Sequence, residues 1–252
     1  MDGTALAEPA AARAYGTVVV VGGGCYGTYY VRQLRRAVAR QGLVVGRLVV
    51  VDRDPACAVA AQRDDAASGL RAELVPGSWD DFFDTFLPVG GPADAIVPSP
   101  LMPHLFLHWL ARRALAREPG RRVELLPPGV VSGVPWQRAD DRARYVSYAE
   151  WMCPVNCIEP AICPHTRGER SWSLPVALRR APSRATHSAA PDWDAAAMLH
   201  CTHRAYGVGM IDVADVLAAD AFVTAAAARG PARVLVGSVS HCHGALGILA
   251  LG

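Results

Sequence analysis

The chain contains no lysine: all 25 of its basic side chains are arginine. That absence removes lysine Schiff-base chemistry, the phosphate loop that needs a lysine, and the Tyr-x-x-x-Lys dyad of short-chain dehydrogenases. Charge of either sign is scarce, at 19% of residues with a formal net charge of +2, so no dedicated nucleic-acid surface is expected. The pairs Arg112-Arg113, Arg121-Arg122 and Arg179-Arg180 sit beside helix-like or loop-like sequence and read as solvated faces. Long apolar runs are missing too. The tail from Val234 to Leu251 comes closest to a membrane span, but Ser238, Ser240, His241, Cys242 and His243 interrupt it. The first sixteen residues lack the basic start and apolar core of a signal peptide. These absences predict a cytoplasmic protein without membrane insertion or a nucleic-acid partner. In that compartment seven cysteines are expected to bind metal or react rather than form disulfides.

With 252 residues, 52% of them hydrophobic, the chain has the means to bury a sizeable core. Thr17 to Val21 is a β-branched run ending at Gly22 and reads as a buried parallel strand, followed by a helix from about Tyr26 to Gln41. Further buried strands are predicted at Arg47–Val51, Ala72–Val75, Ala93–Val97 and Arg122–Leu126. Helices are predicted from Asp80-Asp81 and over Pro103–Arg117. This rhythm predicts an α/β fold with a doubly wound parallel sheet, Rossmann-like. Four segments are expected: a disordered tail over 1–16, a dinucleotide-binding domain over 17–126, a loop-rich Cys/Pro insertion over 127–194, and a C-terminal α/β segment over 195–252 that completes the sheet. In the last segment, a strand or strand pair is predicted over Met198–Met210, a helix over Val213–Ala228 and a final strand over Arg233–Val239.

Gly22-Gly23-Gly24-Cys25-Tyr26-Gly27 satisfies G-x-G-x-x-G, follows a strand and opens a helix. Gly22 permits the tight turn, Gly24 lets the backbone approach a pyrophosphate, and Gly27 lets helix and strand pack closely. Asp52, at the end of the second strand, is placed to bind adenosine ribose hydroxyls, while Arg53 suits a 2′-phosphate, so NAD and NADP both remain open. Cys25 and Tyr26 lie within the same loop. Pro98, Ser99 and His104 should border the nicotinamide end, since ligands of such sheets lie beyond the carboxyl ends of the strands. His104 and His108 share a helix face.

The runs Val-Val-Val-Val-Gly-Gly-Gly, Val-Val-Val-Asp52-Arg-Asp54-Pro55, Pro-Gly77-Ser-Trp-Asp and Ala-Asp94-Ala-Ile-Val together resemble the TrkA-N type of NAD-binding domain over about the first 100 residues. The resemblance implies a Rossmann domain with bound NAD and, in that family, regulation of potassium transport. The chain departs from the family in its cysteine-rich region, which has no counterpart there.

Cys153-x3-Cys157-x5-Cys163-Pro differs from paired zinc motifs and from the ferredoxin run, yet offers three thiolates from one non-helical segment. An iron–sulfur cluster is the expected occupant, with zinc, or thiols free of metal, as the alternatives. Cys201 is assigned with the trio as a metal ligand, and Cys242, His165 and His203 are the other sources of a fourth. Two further knots are His200-Cys201-Thr202-His203 and His241-Cys242-His243. Residues i and i+2 of a strand share a face, so His241 and His243 are expected to converge on one ligand. His203, His241 and His243 are the candidate acid/base residues, with Glu159, Asp212 and Tyr206 nearby for orienting a histidine or relaying a proton. The expected function is an NAD(P)-dependent oxidoreductase acting on a small molecule, with homo-oligomerisation left open. The alternative is a non-enzymatic, TrkA-N-like regulatory module with a structural or redox-sensing cysteine cluster.

Overall fold

The computed structural model describes residues 13–62, 64, 67–180 and 193–252. Strand β1 (Arg13–Val21) lies in the interior of its sheet, and its valines divide between two faces, as the two-residue period of a strand requires. Val18 and Val20 pack against α1 (Cys25–Ala39), which buries Val31, Leu34 and Ala37 on them. Val19 and Val21 face the opposite core, filled by Phe83, Phe106, Trp109 and Leu110. Burying each of these large side chains contributes about 1.5–3 kcal/mol, so this second core is the main source of cohesion.

Strands β2 (Leu43–Asp52), β3 (Ala72–Pro76) and β4 (Ala95–Val97) run parallel to β1 in the order β3-β2-β1-β4. Helix α2 (Trp79–Phe86) begins where the Ser78 hydroxyl accepts the Asp81 N–H, and Asp80 and Asp81 complement its dipole. Helix α3 (Leu105–Arg117) then leads away from this sheet.

From that point the structure departs from a single doubly wound parallel sheet. Strand β5 (Val123–Leu126), expected in the first sheet, pairs antiparallel with β12 (His243–Leu251). With β6 (Trp136–Ala139), β7 (Arg144–Ser147), β8 (Ala195–His200) and β11 (Ala232–Val239) they form a second, mixed sheet in the order β6-β7-β12-β11-β8. Of the C-terminal segment, only β9 (Thr202–Ala205) and β10 (Val208–Asp212) join the first sheet. They do so antiparallel, making that sheet mixed as well: β3-β2-β1-β4-β10-β9. The segment therefore completes one sheet and builds most of another. An apolar strand sequence specifies burial but not partner or direction, which is why the pattern misassigned β5.

Helices α3 and α5 (Val213–Ala227) lie between the sheets, sharing a core with β1, β2, β11 and β12. Arg117 clamps the buried carboxylate of Asp220 through two hydrogen bonds, tying α3 to α5. Helix α4 (Leu174–Arg180) places Leu174 and Leu178 in a third cluster on the outer face of the second sheet. Of the expected tail, residues 1–12 lie outside the described residues, and Arg13–Gly16 are strand. Among the described residues, no helix is long and apolar enough to cross a membrane.

The two sheets meet at Cys201. Strand β8 of the second sheet runs through it directly into β9 of the first, and its N–H bonds the Val239 carbonyl. The turn Tyr206-Gly207 then reverses the chain, both residues having positive φ (45° and 82°), as a two-residue I′ hairpin needs. A Cβ on Gly207 would lie 2.4 Å from the Asn156 Cα, so this turn is the bed on which the cysteine loop rests.

Candidate functional site

The glycine loop has the geometry its spacing predicts. Gly22 takes φ +88°, and a Cβ on Gly27 would strike the Gly22 carbonyl oxygen at 1.8 Å, so helix and strand approach as closely as backbone allows. Around the Cβ position of Gly24 there is nothing within 4 Å, leaving the open approach a pyrophosphate would use. Gly24 caps α1 without a side-chain hydrogen bond, and the first turn carries no acid to compete with an anion. Asp52 accepts the N–H groups of Gly23 (2.6 Å) and Asp54 (2.9 Å), so it shapes this cradle while each oxygen keeps a further lone pair. Arg53 and Cys25 are exposed beside it.

A cavity of about 930 Å³ opens from the start of α1, where Tyr26 and Tyr30 line it. Pro98, Ser99 and Pro100, after β4, form the next wall, and β7, β9, β10, the end of β11, the start of β12 and the cysteine loop supply most of the rest. Of the three candidate histidines, His203 and His243 line this cavity, whereas His241 does not. His241 Nδ1 instead lies 2.9 Å from the Ser173 hydroxyl, and its ring packs edge-on against His200. The expected convergence of His241 and His243 fails because His241 lies in the turn before β12, outside the strand alternation.

Hydrogen bonds set both cavity imidazoles. The Ser147 hydroxyl gives its one proton to the Ala149 carbonyl (2.7 Å) and lies 2.9 Å from His243 Nδ1. Nδ1 must therefore be the donor, which leaves the Nε2 lone pair of a neutral ring free. Burial lowers the His243 pKa, against the opposing Glu159 carboxylate, which favours that neutral form. His203 Nδ1 lies 2.5 Å from the Cys157 carbonyl, which can only accept, so Nε2 is again the free nitrogen.

Behind one wall of the cavity lies a smaller pocket lined by Cys153, Cys157, Cys163 and Cys242. Cys201, assigned to the metal on sequence, is absent from it. It stands at the junction of the sheets, where burial pushes its thiol up to about 12, and it lines the larger cavity instead. The fourth sulfur is Cys242, delivered by the turn between β11 and β12, 79 residues along the chain from Cys163. Burial, then the neighbouring Cys157 and Cys163 thiols, push the Cys153 thiol up; burial takes Cys242 to about 12.

Glu159 joins the loop to that turn. It is buried, with φ +51°, and its carboxylate accepts the Ser240 hydroxyl (2.7 Å) and the N–H groups of His241 and Cys242 (both 3.1 Å). Burial alone would raise its pKa, but the Ser240 hydrogen bond, His203 and the two N–H groups outweigh that and hold it below the ordinary value. Of the other polar residues marked in the sequence, Asp212 is engaged by Arg204 (2.5 and 2.6 Å) and Tyr206 lies beneath the Arg36 guanidinium. His104 and His108 line a separate pocket of about 440 Å³ that adjoins the cavity at Tyr145 and Pro103. Ser147 carried no local sequence signal. Its role exists only because β7 pairs with β12 and sets Ser147 opposite His243.

Residues 106–252 match AF_1314_C, a family described as the C-terminal domain of an uncharacterized protein. The matched stretch begins within α3 and includes the cysteine loop, both cavity histidines and the whole second sheet. No curated protein and no solved structure matches the chain.

Proposed function

The chain belongs to the AF_1314_C family, and we propose that it is an NAD(P)-dependent oxidoreductase acting on a small molecule, with a cysteine-held metal site beside its cavity. The observation that carries this reading is the convergence on one cavity of about 930 Å³ of the glycine-loop helix, through Tyr26, and the imidazoles of His203 and His243, each with Nδ1 hydrogen-bonded. That volume suits a small ligand with part of a cofactor.

Gly22, Gly24, Gly27 and the first-turn N–H groups of α1, including those of Cys25 and Tyr26, would hold the pyrophosphate. Asp52 would hold the ribose, with Arg53 available to a 2′-phosphate. Pro98 and Ser99 would border the nicotinamide, which supplies the hydride donor or acceptor. His243 Nε2 takes the substrate's hydroxyl proton as the carbon is oxidised and returns it in the reverse direction, while Ser147 keeps the ring in the tautomer this needs. The resemblance of the first 100 residues to TrkA-N domains supports the nucleotide part of the reading.

NADH and NADPH titrations, followed by turnover assays over a panel of alcohols, aldehydes and imines, test the reading. Binding with turnover is expected, and His243→Gln should lower kcat by about 10²–10⁴-fold while leaving the dinucleotide Kd unchanged. Dinucleotide binding with no turnover on any panel member would replace the enzyme with a TrkA-N-like regulatory module. Absence of binding would remove both.

A further inference from the structure

We propose that Cys153, Cys157, Cys163 and Cys242 ligate a [4Fe–4S] cluster that forms part of the cavity wall. This deepens the metal-site part of the reading above and stands whether or not a dinucleotide binds. Soft thiolates in an all-sulfur set restrict the occupant to zinc, copper(I) or an iron–sulfur cluster. A single zinc ion, with Zn–S bonds of about 2.3 Å, would need its four sulfurs within about 4 Å of one another. Among the described residues, no three His, Cys, Asp or Glu side chains form a group that could hold a single metal ion. A cubane carries its thiolates on separate iron corners, so its cysteines need only surround one pocket, as these four do.

The surroundings of the sulfurs agree. Cys157 Sγ accepts the Glu159 N–H and Cys242 Sγ accepts the Trp172 indole N–H, each at 3.3 Å. The N–H groups of His165 and Thr166 are directed at Cys163, which is buried. Such N–H···S bonds stabilise thiolates and tune cluster potentials, and they would do little for neutral thiols. Pro154 and Pro164 follow two of the cysteines and offer no N–H, so they stiffen the loop without adding unpaired donors. The Trp151 ring stacks on His165 and meets Trp172 edge-on, giving the pocket an aromatic cover against water. Cys153, Cys157, Glu159 and Cys242 also line the cavity, so the cluster would adjoin whatever the cavity holds.

The full chain, purified without oxygen and reconstituted with ferric iron, a thiol reductant and sulfide, is assayed for iron, acid-labile sulfide and zinc, and by electron paramagnetic resonance after reduction. About four irons and about four sulfides per chain, with the low-temperature signal of a reduced cubane, are expected. Cys242→Ser should lose the cluster, whereas Cys201→Ser should keep it. Zinc in place of iron, a two-iron stoichiometry, or no bound metal in the wild-type chain overturns the proposal. So does a cluster that survives Cys242→Ser, or one lost from a Cys201→Ser protein that melts like the wild type. Should Cys242→Ser not fold, the wild-type stoichiometry and resonance decide alone. NADH titration of the same wild-type samples separates failure of the cluster from failure of the oxidoreductase reading.

Discussion

A methyl group added at Gly27 would lie 1.8 Å from a backbone oxygen, whereas one added at Gly24 would meet nothing. The two substitutions should therefore separate folding from binding. Gly27→Ala forces helix and strand apart and should cost about 2–4 kcal/mol, read as a lower denaturation midpoint. Gly24→Ala should change stability by less than about 1 kcal/mol yet weaken dinucleotide affinity about tenfold or more by calorimetry, since its methyl would occupy the approach proposed for the phosphates. Glu159→Ala leaves the Ser240 hydroxyl and the His241 N–H without their acceptor, and the Cys242 N–H with only its longer bond to Ser240. It should cost about 2–3 kcal/mol and lower the occupancy of the proposed cluster, because the turn carrying Cys242 loses its anchor. The glycine turn was legible in the sequence because it is local to one strand, one loop and one helix, and Asp52 because it ends the next strand of the same pattern. Glu159 was visible only as an unranked acid, since its partners lie more than 80 residues away.

Two contacts between elements decide how the cysteine loop and the interior helices sit. Gly207 combines a left-handed φ with backbone contact to Val155 and Asn156. Gly207→Ala should both strain the β9–β10 hairpin and lift the loop, costing about 2 kcal/mol and reducing metal retention; equal metal content at reduced stability would refute the loop-seating role. The α3–α5 contact rests on the Arg117–Asp220 pair, whose arginine is partly exposed. Asp220→Ala should cost about 2 kcal/mol, discounted from a fully buried pair, and be read as a fall in Tm. Helix α5 matched its expected span to within a residue, because an alanine-rich stretch between Asp212 and Gly230 has clear ends. Strand β12 was not anticipated: its apolar sequence follows a Cys/His knot that reads as a site, and no Asn-Gly or Asp-Gly marks the turn before it.

Acid should weaken the molecule through its histidines. Burial lowers the pKa values of His104, His108, His200, His241 and His243, taking His104 to about 4. Between about pH 6.5, the unfolded value, and pH 4, the unfolded chain binds protons that folded His104 refuses, so stability present above that window is lost across it as pH falls. His104→Phe, which keeps the ring against Tyr145, should flatten the Tm profile over the same range; an unchanged slope would assign the loss to the other groups. At this scale the sequence by itself determined the strand–glycine loop–helix unit, the helices other than α4, most strands of the first sheet and the local cysteine trio. Each of those is set by periodicity, backbone sterics or spacing within a short stretch of chain. Only the tertiary structure decided that there are two mixed sheets, that β5 belongs to the second, and that Cys242 rather than Cys201 completes the sulfur pocket. It also decided that His203 and His243, not His241, face the cavity. Those outcomes depend on which distant strands pair and in which direction, and burial patterns in a sequence are nearly the same for every pairing that hides the same apolar faces.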